Sequence, residues 1–217
     1  MKTVLIIGAS GFIGQALSEF FGLSGYKLIL ICPKIHFHPK LKIEKKNLVH
    51  IQGYTSEIDL ETCLHRISSP DLIINLGGVS SVGASDKLYT RDLERTVLGA
   101  AKLYNWVRQT CPNSRIFTFS SAAVYGENSV SKLKEGTPTN PSSLYGINRV
   151  VLEKLSAKFA SQYGLKITVL RIFSAYGVGN KKQIFWELCK KLTSNEIVHL
   201  SGTGKEIRDW INIQDII

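Results

Sequence analysis

The chain has 217 residues, 44% of them hydrophobic, and a formal net charge of +10 at pH 7. That length buries one substantial core with room for an appendage. No run approaches the roughly 18 uninterrupted apolar residues of a membrane span, and Met1-Lys2-Thr3-Val4 leads into a strand instead of a secretory leader, so a cytoplasmic protein is expected.

In chain order, Val/Ile/Leu-rich runs at Thr3–Ile7, Lys27–Ile31, Leu48–Gln52, Leu72–Leu76, Arg115–Ser120 and Lys166–Arg171 read as strands buried on both faces. Phe12–Leu23, Leu60–Ile67, Lys87–Gln109 and Ser143–Tyr163 carry apolar residues at helical spacing. The alternation predicts an α/β fold, a Rossmann-type doubly wound parallel sheet with ligands at the carboxyl ends of its strands. Segments 125–142 and 174–183 are turn-rich and read as loops over that edge. After Arg171 come a helix (Ile184–Leu192), a strand-like Ile197–Leu200 and a Gly202-Thr203-Gly204 turn before Ile217. Residues 1–173 are therefore expected to form a dinucleotide-binding domain and 174–217 a small, apparently truncated substrate lobe.

The first strand runs into Gly8-Ala9-Ser10-Gly11-Phe12-Ile13-Gly14 and then a helix. Glycines at that spacing present bare backbone N–H groups and a helix N-terminus to a diphosphate; the alternative is a tight structural turn. At the end of the second strand, where an acidic residue commonly receives the adenosine ribose, stands Cys32-Pro33-Lys34. Without a carboxylate to repel a 2′-phosphate, and with Lys34 nearby, the cofactor is NAD or NADP with a modest NADP preference. Lys34, Lys40, Lys42, Lys45, Lys46, His36 and His38 crowd one stretch, which reads as a solvated loop; the alternative is a phosphate-binding contribution from its first residue, Lys34. The overall positive charge favours anionic partners. No recognisable RNA- or DNA-binding motif accompanies it, which sets nucleic acid aside. The four cysteines, Cys32, Cys63, Cys111 and Cys189, form no C-x-x-C pair, so free thiols are expected and no metal site.

Phe117-Thr118-Phe119-Ser120-Ser121 leads into Ala122-Ala123-Val124-Tyr125-Gly126, and Tyr145-Gly146-Ile147-Asn148-Arg149 follows 24 positions after Ser121. With Arg171-Ile172-Phe173-Ser174-Ala175-Tyr176-Gly177 and Gly202-x-Gly204-x-x-x-Arg208-Asp209-Trp210, this series resembles the extended short-chain dehydrogenase/reductase family, in its NAD-dependent epimerase/dehydratase branch acting on nucleotide sugars. The resemblance implies that Tyr145 is the acid/base and that Ser121 hydrogen-bonds the reacting oxygen. The alternatives are a plain buried tyrosine and a hydroxyl satisfying a strand end. It also implies that Ser174 and Arg208 lie on the substrate side, Arg208 clamping the diphosphate; a surface ion pair is the alternative for Arg208.

A free phenol titrates near ~10 and needs positive charge nearby to work at neutral pH. The resembled family supplies a lysine four residues after the tyrosine, which also holds the nicotinamide ribose; here that place belongs to Arg149, and the exchange is not conservative. Further departures are Gly53-Tyr54 for an adenine-binding Asp, Thr96 for an Asn, Ser174 for an Asn, and Asn75-Leu76-Gly77-Gly78 for His-Leu-Ala-Ala. The dehydratase Asp-Glu pair is replaced by Ala122-Ala123, which disfavours water loss. The leading expectation is an NAD(P)-dependent nucleotide-sugar epimerase of the UDP-hexose 4-epimerase kind. Its alternatives are an NADPH-dependent nucleotide 4-keto-sugar reductase and a catalytically weakened NAD(P)-binding protein. The resemblance also implies a homodimer paired through Lys87–Gln109 and Ser143–Tyr163.

Overall fold

The computed structural model describes residues 1–34, 45–65, 69–127, 132–194, 199, 203 and 207–217. Six strands, β1 (Thr3–Ile7), β2 (Lys27–Cys32), β3 (Leu48–Gln52), β4 (Leu72–Asn75), β5 (Arg115–Ser121) and β6 (Lys166–Ile172), form one sheet in the order β3-β2-β1-β4-β5-β6. Strands β1 to β5 pair in parallel, with Val4 opposite both Leu28 and Leu72. This is the expected doubly wound Rossmann-type order, in which the winding direction switches between β1 and β4.

The sequence accounts for the elements locally. Every residue of β1 is buried, as a central parallel strand of Val, Leu and Ile should be. Helix α1 (Phe12–Leu23) starts directly after the second glycine of the loop, Gly11, and α2 (Leu60–Leu64) starts where Asp59 accepts a hydrogen bond from the Glu61 N–H. Of the expected helix Leu60–Ile67, Leu60–Leu64 is helical, and residues 66 and 67 lie outside the described residues.

The long helix expected over Lys87–Gln109 is instead a broken one. α3 (Val82–Lys87) stops at Leu88, whose φ −138° and ψ 44° are not helical, and α4 (Tyr89–Leu93) runs into a π-helical turn at Glu94–Leu98 before α5 (Gly99–Thr110). Helix α6 (Leu144–Tyr163) is capped by the Ser143 hydroxyl, which accepts from the Gly146 N–H at 3.1 Å, and ends on Gly164 at φ +67°.

The core packs Leu5, Ile29, Ile73, Leu103, Ile116 and Leu152 around the sheet. Inside it the Tyr104 hydroxyl on α5 meets Thr118 on β5 at 2.7 Å and Ser156 on α6 at 2.8 Å, so three elements share one polar contact. Burial holds that phenol above its ordinary value.

The chain divides into two compact units, Met1–Arg171 and Ile172–Ile217. In the second, residues 174–176, expected as loop, form β7 (Ser174–Tyr176), parallel to β8 (Trp210–Asn212), with α7 (Gln183–Thr193) and α8 (Ile213–Ile216). The strand expected at Ile197–Leu200 and the glycines Gly202 and Gly204 lie, His199 aside, outside the described residues, as do His36, His38, Lys40 and Lys42. Among the described residues no helix is long and apolar enough to cross a membrane.

Candidate active site

The loop after β1 is built by the absence of side chains. Gly8 takes φ +77°, and a Cβ there would lie 2.9 Å from the Leu76 carbonyl oxygen beyond β4. A Cβ on Gly14 would lie 2.3 Å from the Gly8 carbonyl oxygen, so only glycine lets α1 start this close to the loop. Gly11 closes the turn, its N–H donating to the Gly8 carbonyl at 3.0 Å, and its extended backbone caps α1. Gly14 is buried, whereas Ser10, Phe12 and Ile13 are half-buried and Gly11 is exposed. The product is an accessible N-terminus of a 12-residue helix at the sheet's switch point, with the positive end of its dipole facing outward. These residues fit a dinucleotide diphosphate, because the missing Cβ atoms let the loop and the start of α1 pack backbone to backbone and leave the helix N-terminus accessible.

At the carboxyl end of β2, Cys32 is buried and hydrogen-bonded by Ser10 and to the Lys34 carbonyl. Burial pushes this thiol up, so the position expected near the adenosine ribose is neutral. The His50 ring nitrogen Nε2 lies 2.9 Å from the Cys32 carbonyl oxygen, and Lys34 is exposed just beyond. Farther along this edge, the Arg95 guanidinium stacks 3.5 Å from the Tyr54 ring centroid, occupying with a cation–π contact the region where an Asp was the family expectation.

Ser121 ends β5 and caps the 3-10 turn Ala122–Tyr125, its Oγ accepting from the Ala123 N–H at 3.2 Å. This is the strand-end role weighed above. It uses an acceptor lone pair and keeps the O–H hydrogen for donation. The start of α6 abuts that turn: a Cβ on Gly146 would lie 2.6 Å from the Ala123 carbonyl oxygen. Tyr145 therefore enters from the helix start beside the turn that Ser121 caps.

Arg149 follows one helical turn later, buried, with its guanidinium carbon 4.9 Å from the Tyr145 ring centroid. Its Nη1 donates to the Phe119 carbonyl at 3.0 Å and the Gly77 carbonyl at 3.5 Å, and Nη2 donates to the Val79 carbonyl at 2.8 Å. The guanidinium fork thus ties the end of β5 to the turn after β4. Nε is buried without a hydrogen-bond partner. A fixed cation thus lies beside the Tyr145 ring, with most of its donors committed to backbone.

Sequence reasoning missed the group next to it. Asp92 on α4 is fully buried, accepting from Ser85 Oγ at 2.6 Å, Thr96 Oγ1 at 2.7 Å, Asn148 Nδ2 at 2.9 Å and the Val79 N–H at 3.3 Å. Burial pushes this carboxyl up, yet the hydrogen bonds together outweigh it and hold the group below its ordinary value. Its only sequence signal is an Asp four residues before a Thr on a helix, which also describes countless solvated positions.

A second cluster steadies the same edge. Glu153 on α6 accepts from the Ser120 hydroxyl at 2.5 Å and is gripped by Arg171 at 2.7 Å, and Arg171 also reaches the Tyr125 hydroxyl at 2.9 Å. Those bonds to Glu153 hold the guanidinium proton more tightly than usual.

The expected substrate-side residues belong to the second unit. Ser174 opens β7 opposite Trp210, its N–H bonding the Asp209 carbonyl at 3.3 Å, and Arg208 is exposed ahead of β8. Tyr176, Phe185 and Trp210 form an aromatic cluster there, with the Phe185 and Trp210 rings 4.4 Å apart.

Among known proteins, the family described as NAD dependent epimerase/dehydratase matches residues 4–217. UDP-glucuronate 4-epimerase 4 of Arabidopsis thaliana is 25% identical over 99% of this chain, which spans 52% of that relative's length. The structure of MoeE5 in complex with UDP-glucose and NAD superposes with a TM-score of 0.84 at 26% identity, covering 99% of this chain and 69% of that one. UDP-N-acetylglucosamine 4-epimerase from Methanobrevibacter ruminantium M1 gives 0.87 at 25% identity, over 99% and 70% respectively. With the glycine cradle, the strand order and the Ser121–Tyr145 series in one chain, the conclusion is direct: this protein belongs to the NAD-dependent epimerase/dehydratase family.

Proposed function

We propose that the chain is an NAD(P)-dependent nucleotide-sugar epimerase, acting at a sugar carbon with Tyr145 as acid/base. The observation that carries this reading is the buried Arg149 guanidinium 4.9 Å from the Tyr145 ring centroid, which keeps a fixed cation beside the phenol where the family uses a lysine. When bound, the nicotinamide cofactor supplies a hydride acceptor and donor. The chain's own part is to hold it and manage the proton. Gly8, Ser10, Gly11, Phe12, Ile13 and Gly14 cradle the diphosphate, while Cys32 and Lys34 border the adenosine ribose. Tyr145 takes the proton of the sugar hydroxyl and returns it, and Ser121 donates its O–H hydrogen to the same oxygen to fix its direction. Arg149 lends charge and is the residue that would hold the nicotinamide ribose in place of the family's lysine. Ala122-Ala123, where a dehydratase needs an Asp-Glu pair, argues against water loss.

In this reading residues 1–173 hold the cofactor and 174–217 contribute Ser174 and Arg208 toward the sugar nucleotide. The free thiols Cys32, Cys63, Cys111 and Cys189 suit a reducing cytoplasm. Homodimerisation is supported by Leu144, Ile147 and Val151, exposed apolar residues of α6 that recur at three- and four-residue spacing. A second reading, a 4-keto-sugar reductase using NADPH, is favoured by one observation: β2 ends in a neutral buried Cys32 with Lys34 exposed beyond it, and presents no carboxylate there.

The test is incubation with NAD+ and UDP-glucose, UDP-galactose and UDP-N-acetylhexosamines, with the sugars resolved by chromatography. Interconversion without net reduction is expected, and Tyr145→Phe should lower it by about 10²–10⁴-fold. Net NADPH consumption with a 4-keto sugar would select the reductase, and absence of turnover with either class would refute both.

A further inference from the structure

Among the described residues two charged side chains are buried, Asp92 at 0% and Arg149 at 5% exposure. Buried charges persist only where hydrogen bonds and opposite charge offset their lost hydration. These two do not touch in any contact observed; one residue stands between them. The N–H of Val79 donates to Asp92 Oδ1 at 3.3 Å and its carbonyl accepts from Arg149 Nη2 at 2.8 Å, so its donor faces the anion and its acceptor faces the cation. Asn148, the chain neighbour of Arg149, makes a second link by donating to Asp92 Oδ2 at 2.9 Å.

Three apparently separate departures from the family pattern meet here. Thr96 sits in the π-helical turn and donates its hydroxyl to Asp92; such turns re-aim side chains within otherwise regular helices. Gly78, at φ +117°, has no side chain where a Cβ would lie 2.2 Å from Thr96 Oγ1 and 2.9 Å from Arg149 Nη2. Arg149 fills the space that Gly78 leaves. These residues fit one another in space, while Arg149 Nε and Asn148 Oδ1 stay buried without hydrogen-bond partners.

We propose that Asp92 is a positioning residue for the Tyr145 site. Its carboxylate fixes the Gly77–Val79 turn, that turn presents the carbonyls that hold the guanidinium, and the guanidinium is thereby aimed at the Tyr145 ring. Gly78, Thr96 and Arg149 then work as a matched set with Asp92, and Arg149→Lys alone is not a repair, because one ammonium cannot span the same carbonyls. The proposal rests on Tyr145 as the acid/base.

The test uses the full chain and reads the tyrosinate absorbance that is lost in Tyr145→Phe, so it needs no turnover and stands even if the epimerase assay fails. Arg149→Met removes the cation and is expected to move that titration up by about one pH unit. Asp92→Asn is expected to move it in the same direction by roughly half as much or more, and the double variant no further than Arg149→Met, since the carboxylate acts through the guanidinium. A carboxylate acting directly on the phenol would give the opposite sign. A downward shift, no shift, or two effects that add would each overturn the proposal. If Asp92→Asn does not fold, Thr96→Val, which deletes one donor, is expected to give a smaller upward shift, and an unmoved titration there overturns it equally.

Discussion

The glycine cradle and the Tyr145 surroundings are two halves of one sheet edge, built by opposite means. In the cradle nothing but backbone is arranged: Gly8, Gly11 and Gly14 work through the Cβ atoms they lack, and the helix dipole does the rest. Around Tyr145 side chains carry the arrangement: a cation and an anion, with one amide and two hydroxyls, position one another through the Gly77–Val79 turn. A site made by omission tolerates no addition, but is indifferent to pH. A site made of paired charges tolerates some reshaping of side chains, but depends on their ionisation.

The sharpest way to break the comparison is to add a single methyl group. Gly14→Ala puts a Cβ at 2.3 Å from the Gly8 carbonyl oxygen, a backbone atom that cannot swing aside. Overpacking of this kind should cost about 1–3 kcal/mol of stability. NAD+ affinity, measured by calorimetry, should fall by about tenfold or more, equivalent to ~1.4 kcal/mol. Gly25→Ala is the control: Gly25 also has positive φ, +78°, but nothing lies within 4 Å of its Cβ position. It should cost about 1–2 kcal/mol through backbone strain and leave NAD+ affinity unchanged. Equal loss of affinity in both variants would mean that the loop does not cradle the cofactor.

The same contrast explains what could be read from the sequence. Strand β1 is legible to the residue as a run of buried aliphatic side chains, whereas β3 keeps its expected bounds but, at the edge of the sheet, is only half-buried and not covered on both faces. The cradle is legible because glycine spacing is itself the mechanism. The break at Leu88 and the π-helical turn at Glu94–Leu98 were not legible, because apolar spacing over 87–109 fits an unbroken helix equally well. The segment's non-local ties are those of Asp92 to the Val79 N–H and to Asn148 on α6, and such tertiary contacts have no local signature. Arg149 and Gly78 were both visible as departures, 71 positions apart, but only the shared space between them shows that one accommodates the other.

Acid sharpens the comparison further. The Asp92 carboxyl is held below its ordinary value in the folded chain, so it binds its proton less readily there than in the unfolded chain. By linkage its contribution to stability is present above the unfolded value, near ~4, and is lost as pH falls through the folded one. In thermal melts between pH 7 and pH 3, the deficit of Asp92→Asn relative to the unaltered chain should be largest at neutral pH, about 2–4 °C for each kcal/mol, and shrink with acid. The deficit of Gly14→Ala should stay constant, since no ionisable group is involved. A pH-independent deficit in Asp92→Asn would show that its charge is not what stabilises the network.

The smallest expected effect lies at the far end of the cradle, where backbone gives way to side chains again. Lys34 is exposed beyond the buried thiol of Cys32, and screening by solvent limits what an exposed ammonium contributes. Reversing its charge with Lys34→Glu should weaken NADP+ about three- to tenfold relative to NAD+, because the added carboxylate repels a 2′-phosphate and can accept from a ribose hydroxyl. NAD+ itself should bind unchanged or slightly tighter, and stability should not move. If both cofactors weaken together, Lys34 contacts the shared diphosphate and not the ribose, and the preference is set elsewhere. If neither changes, the exposed lysine is simply solvated, and cofactor choice returns to the backbone geometry around Ser10 and Cys32.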